Sequence, residues 1–338
     1  MKTNKVLSVA PLGFPWATSD PFLFCAYHRD EYPKGNAQMG PNESLDGRVI
    51  GQDFTIKDGW RMYHGSTIPG FPYHPHRGFE TITIVKEGVV DHTDSLGAAG
   101  RFGAGDVQWM TAGKGIQHSE MFPLIHEDKN NPLEIFQVWL NLPSESKFVA
   151  PHFKMLWEDA IPKIKNVDDR GITTEIDIIA GNLGANVAPK PTPDSWAITP
   201  ENHVSVWTIK MEANATWTLP ATSGEAKRTL YFYKGGSLDF EGQTVHVDNA
   251  IEVVPTENIV IQNSDSDGYI LLLQGKPINE PVVKYGPFVM NTEEEIKQTM
   301  RDYGRTQFGG WPWPKQEQVH NRDKGRFALH ADGTEEIK

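Results

Sequence analysis

His74 and His76 stand on alternate residues, and His118 and Glu120 form a second alternate pair 42 residues after His76. In an extended strand, side chains two residues apart point to the same face. If the two strands lie side by side, three imidazoles and one carboxylate converge. That donor set suits a first-row transition metal: iron, zinc, copper, nickel or manganese. A lone histidine is more often a core or surface residue than a ligand. Two pairs flanked by Phe71, Pro72, Ile116 and Met121 argue against two polar strand faces in solvent.

The elements that must position these residues read as strands. Segments of β-branched and aromatic character fall at 81–85, 106–110, 133–140, 173–180, 204–211, 228–233, 237–240, 243–247, 251–254 and 268–274. Turn residues separate them, as at Glu87-Gly88, Gly103-Ala104-Gly105, Lys234-Gly235-Gly236 and Glu241-Gly242. The pattern predicts antiparallel β architecture in two halves. Residues 20–150 carry every candidate ligand. Residues 165–275 repeat the texture without a His-x-His, and residues 189–200, with four prolines, read as an extended link. One helix is expected after Thr292, where Glu295 completes a capping box and acids suit the positive helix end. Ile296, Met300 and Tyr303 would form its apolar face, and Gly304 would stop it. A shorter helix is expected at 157–161. The stretch from Trp311 to Lys338 reads as a tail over a surface or a partly disordered one.

Composition narrows the function classes. The 338 residues carry a formal net charge of -12 without a clustered Lys/Arg tract, which argues against nucleic acid or anionic membrane as partner. One cysteine, Cys25, excludes an internal disulfide framework and fits a reducing compartment. It lies in an apolar run and reads as a buried, inert thiol. The N-terminus makes a poor signal peptide, and no apolar stretch is long enough for a transmembrane helix. A cytoplasmic protein is the expectation.

Cupin barrels carry a Gly, His-x-His, Glu, Gly motif, and Gly70, His74, His76, Glu80 and Gly88 occupy such places. Gly105, Gly113 and His118 resemble the second cupin motif, without its usual proline and with a later histidine. The runs His74-Pro75-His76-Arg77-Gly78-Phe79-Glu80-Thr81 and Gly105 through Met121 are similar to the signature of the pirin family. So are Asn141-Leu142-Pro143 and Tyr285 through Asn291. The resemblance extends over nearly the whole chain.

It implies an all-β fold of two cupin-type, double-stranded β-helix (jelly-roll) barrels with a few short helices. Residues 1–160 would form a metal-binding barrel with an insertion at about 28–64. Residues 161–338 would form a metal-free barrel bearing the C-terminal helix and tail. The implied ligands are His74, His76, His118 and Glu120, and the implied metal is usually iron, here Fe(II). Glu80 is then a proton acceptor beside Glu120, a partner orienting a histidine, a partner of Arg77, or an ordinary strand-start ion pair. The longer 28–64 segment is either a lid or an extra strand pair. Some pirins are described as quercetin 2,3-dioxygenases, which implies a flavonol-like aromatic substrate and dioxygen. Others act as metal-dependent regulatory partners of proteins, which implies a redox-sensing binding module. Phe71, Tyr73, Phe79 and Trp109 would line the pocket, and one of Gln108 and Gln137 would point toward the metal. Lys114 is expected in solvent, and His92 and Asp94 are expected to be exposed. His126, His152, His203, His246, His320 and His330 lack paired spacing and read as structural. Tyr231, Phe232 and Tyr233 replace a ligand strand in the second barrel.

Overall fold

The computed structural model describes residues 5–338 as two units, each built from two antiparallel sheets around an apolar core. The strands run β1 (Val6–Pro11), β2 (Phe22–Tyr32), β3 (Gly70–His76), β4 (Phe79–Glu87) and β5 (Val89–Asp94). They continue with β6 (Ala99–Gly103), β7 (Val107–Thr111), β8 (Ile116–Met121), β9 (Asn131–Asn141) and β10 (His152–Leu156). In the first barrel one sheet has the order β10-β7-β4-β9-β2. The other sheet joins the C-terminal strands Glu335–Ile337 and Phe327–Leu329 to β6, β5, β8 and β3, in that order. Val85, Val90, Phe102, Met110, Phe153 and Met155 meet in its core. Among the described residues, no helix is long and apolar enough to cross a membrane.

The second barrel holds a seven-stranded sheet of β1, Asn249–Val253, Lys227–Lys234, Gly268–Gly275, Ser205–Met211, Thr173–Ala180 and Lys163–Val167. A four-stranded sheet carries Thr216–Leu219, Ile259–Asn263, Ser237–Phe240 and Gln243–His246. Alternate residues face inward, so Trp207, Ile209, Leu230, Phe232, Ile270 and Leu272 pack together.

Three expectations change. The helix and tail belong to the first barrel, since Glu280–Lys338 clusters with Ala26–Val138, and residues through Cys25 cluster with the second. Hydrogen bonds give the reason. The Arg101 guanidinium, paired with Asp91, donates to the carbonyls of His320, Asn321, Arg322 and Lys324. Phe327–Leu329 then adds to the edge of β6. The tail is therefore anchored by a buried ion pair and a sheet edge.

Second, helix α1 (Glu293–Thr306) starts at the capping box on Thr292 but runs past Gly304. It ends where Gln307 turns left-handed, with φ 49°, and donates to the Tyr303 carbonyl. Ile296 is buried on its inner face, whereas Met300 is exposed. The expected helix at 157–161 is a single 3-10 turn, Glu158–Ala160.

Third, the 28–64 segment adds no strand pair of its own: its first residues are the end of β2, which closes at Tyr32. Beyond Tyr32 it is irregular chain joined by single bridges, with Trp60, Met62 and Tyr63 fully in the core. Arg48 lies 3.3 Å over the Trp60 ring, and Tyr63 donates to Asp30, which also takes the Arg61 guanidinium. These buried partners replace ladder hydrogen bonds.

The turn from β3 to β4 requires glycine. Gly78 has φ 86°, and a Cβ there would lie 2.0 Å from the Val289 carbonyl oxygen. Gly78→Ala combines left-handed strain with a backbone clash and should cost about 2–4 kcal/mol. Chemical denaturation of the two proteins checks this, and an unchanged midpoint would contradict it.

Candidate metal centre

β3 and β8 pair antiparallel, with His74 opposite His118 and a bulge between Phe71 and His74. The bulge lets the strand bend so that His74 and His76 meet the histidine of the neighbouring strand. Nε2 of His74 lies 3.1 Å from Nε2 of His76 and 3.1 Å from Nε2 of His118. One ligand atom from each ring lies within 4.8 Å of the others.

The protons on the His74 and His76 rings can be assigned. His74 Nδ1 lies 2.9 Å from the Pro72 carbonyl, and His76 Nδ1 lies 3.4 Å from the Pro287 carbonyl. A carbonyl only accepts, so each Nδ1 carries the proton and each Nε2 presents a lone pair. Burial holds the His74 pKa down to about 4 and pushes those of His76 and His118 well below the ordinary value. The rings are therefore neutral at neutral pH. Two lone pairs facing each other at hydrogen-bond distance repel, and a cation between them removes the conflict. The residues present thus fit a transition-metal ion.

Glu120 stands beside the cluster, with Oε2 3.8 Å from His118 Nε2. Thr83 Oγ1 donates to its Oε1 at 2.9 Å, and Gln137 Nε2 donates to its Oε2. Burial raises its pKa, opposed by His92 and by these two hydrogen bonds. Both glutamines face inward, since Gln108 pairs opposite Thr83 in the β4–β7 register. The Gln108 amide is buried with no hydrogen-bond partner for either its nitrogen or its oxygen.

Glu80 points elsewhere. It lies three residues from Thr83, hence on the opposite pleat face of β4, and accepts from Thr111 Oγ1 at 2.7 Å. Neither a proton-accepting nor a histidine-orienting role suits that placement. Trp109 shares this outer face, opposite Ile82. Tyr73 leaves the cluster too and stacks on Trp311 at 5.1 Å. Phe79 and Phe71 remain near, their rings 5.0 Å from His76 and 6.3 Å from His74. Phe71 in turn meets Phe54, Tyr63 and His64 of the long segment. Lys114 is exposed, whereas burial raises the Cys25 thiol pKa well above the ordinary value.

His92 and Asp94 are buried, contrary to expectation. β5 pairs with β8 so that His92 faces Glu120 and Asp94 faces His118. His92 Nε2 lies 3.2 Å from Asp94 Oδ2, while its Nδ1 has no partner. The run Asp-His-Thr-Asp reads as a solvent turn because it is polar, yet this end of the barrel is itself polar inside. Their two-residue spacing matched that of His74 and His76, and only strand register could add them to the wall. Lys147 also escaped notice. It is buried and donates to the Gly78 and Val289 carbonyls, with burial lowering its pKa to about 8.

Three outcomes follow from this geometry. His76→Ala and His118→Ala should each lower bound metal severalfold by elemental analysis, because three ligands bind far better than two. Glu80→Gln should leave metal content unchanged; stoichiometric metal in either alanine variant would refute the cluster. The metal-free protein should lose stability on acidification. Between the ordinary histidine value of about 6.5 and the His74 value of about 4, the unfolded chain takes up a proton that folded His74 refuses. That contribution is intact above about pH 6.5 and falls as pH drops. Thermal melts of metal-free protein at about pH 7 and about pH 5 test this sign, and a flat or rising melting temperature at the lower pH would contradict it.

Comparison with known proteins agrees with the fold. A crystal structure of quercetin 2,3-dioxygenase from Acinetobacter baumannii superposes with a TM-score of 0.70 at 26% identity, covering 90% of this chain and 98% of that one. A Pseudomonas aeruginosa protein provisionally named quercetin 2,3-dioxygenase is 35% identical over 239 residues, 71% of this chain and 79% of the relative. Pirin-like protein 2 of Arabidopsis thaliana is 37% identical over 246 residues, 69% of each. Residues 15–140 match the Pirin family and residues 206–309 match the Pirin C-terminal cupin domain. On these matches, which together take in most of the sequence, the chain belongs to the pirin family.

Proposed function

We propose that this protein is a metal-dependent dioxygenase of the quercetin 2,3-dioxygenase type, acting on flavonol-like chelating aromatics. The observation that carries the reading is the convergence of three neutral imidazoles, two buried and one partly buried, beside a buried carboxylate. In this reading His74, His76, His118 and Glu120 hold the ion, and Fe(II) suits the donor set and the chemistry. Such an ion, when bound, supplies redox chemistry between an electron-rich substrate and dioxygen.

The chain's own residues do the rest. Glu120 accepts the proton of the substrate's acidic hydroxyl. Thr83 and Gln137 hold that carboxylate in one orientation while it acts. The partnerless Gln108 amide offers a donor and an acceptor to a hydroxyl or carbonyl of the substrate. Phe79 and Phe71 give the ring system an apolar surface beside the histidines. Names borne by the relatives in Pseudomonas and Acinetobacter support the substrate class.

Oxygen uptake tests the reading. Iron-loaded protein should consume dioxygen with quercetin faster than the same concentration of free iron. Glu120→Gln, compared per bound metal, should be slower by about 100-fold, the scale of losing a positioned base. Uptake no faster than free iron, with metal content verified, would overturn the proposal.

A further inference from the structure

The second barrel contains a cavity of about 710 Å³, ample for a small organic ligand. Its lining includes Leu183, Val187, Ile198 and Trp207 as apolar wall and Arg228 as a buried cation. No aspartate or glutamate lines it, although the chain as a whole carries a net charge of -12.

Strand register explains how Arg228 comes to be there. Trp207, Leu272 and Leu230 lie side by side on three neighbouring strands and form an apolar rung of the core. Two residues along each strand, on the same face, Ser205, Gln274 and Arg228 form the next rung. The apolar interior therefore ends in a polar row at the cavity. Arg228 is 2% exposed. Its Nε donates to Gln274 Oε1 at 2.6 Å and its Nη1 to the Pro220 carbonyl at 2.7 Å. Gln274 is itself held, donating to the His203 carbonyl at 2.9 Å.

Both partners of this guanidinium are neutral, and among the described residues it makes no ion pair. A buried charge ordinarily has an opposite charge beside it. The other buried arginines among the described residues, Arg61, Arg77 and Arg101, each face an aspartate. Burial lowers the Arg228 pKa to about 10, which still leaves it charged at neutral pH. Five N–H donors in a planar fork match a carboxylate in two parallel hydrogen bonds, and two donors are used by the protein.

We propose that the cavity of the second barrel binds an organic carboxylate, with the acid group on Arg228 and an apolar body against Trp207, Leu183, Val187 and Ile198. This site is independent of the histidine cluster and of the reaction proposed for it.

The test uses the full chain, 1-naphthoate as probe and 1-naphthalenemethanol as its neutral counterpart, with affinities from isothermal titration calorimetry. All titrations are made in the His118→Ala background as well, so that carboxylate taken up at the histidine cluster is identified. The wild type should bind naphthoate at least about tenfold more tightly than the alcohol, the scale of one charge-assisted pair. Arg228→Gln should abolish that preference and keep the affinity for the alcohol. Ala188→Trp, which fills the cavity from a wall position, should abolish binding of both. If Arg228→Gln does not fold, Ala188→Trp alone decides. Equal affinity for the two probes in the wild type, a preference retained in Arg228→Gln, binding retained in Ala188→Trp, or a preference lost in His118→Ala would each overturn the proposal.

Discussion

The neutral imidazoles of His74 and His76, whose lone pairs face one another at 3.1 Å, are the constraint around which the first barrel is arranged. Left alone, such an arrangement is repulsive. It persists because the surrounding strands leave the rings no other place: carbonyls of Pro72 and Pro287 take the Nδ1 protons, and burial keeps the rings uncharged. Such a donor set favours a metal ion over a proton at this place.

The elements farthest from the ligands in sequence secure that framework. Arg77, immediately after His76, pairs with Asp302 of α1 at 3.0 Å and donates to the Lys114 carbonyl. Gln117, immediately before His118, donates to the carbonyls of Gln307 and Gly310 and accepts from the Tyr303 hydroxyl. Each ligand strand is therefore tied, one residue from a histidine, to the C-terminal helix or the turn after it. The helix and the turn after it thus brace the two strands that carry the histidine cluster.

The two barrels solve the same problem of a closing end differently. In the first, the polar end of the interior holds His92, Asp94, Thr83, Gln108 and Gln137 around the cluster. In the second, the strands that supply the apolar core end in Ser205, Gln274 and Arg228 beside an open cavity. Barrel interiors taper from apolar packing to polar ends, and the chemistry a barrel can do is set by what stands on that last rung.

Much of this was legible in the chain. The two alternate pairs His74/His76 and His118/Glu120 named their own strands, because a period of two residues is a property of extended backbone and needs no neighbour. The capping box at Thr292 announced α1 for the same local reason. What the sequence could not decide was which face of each strand met which partner. Glu80 and Glu120 are both carboxylates in buried strands, yet an odd spacing from Thr83 turns Glu80 outward, and strand pairing brings Glu120 to the histidines. His92 looked solvated until β5 paired with β8, and the neutral surroundings of Arg228 come from neighbouring strands and a distant carbonyl. Ligand type and spacing are local and written in the sequence. Facing, burial and pairing arise from contacts between residues distant along the chain, so only the tertiary structure decided them.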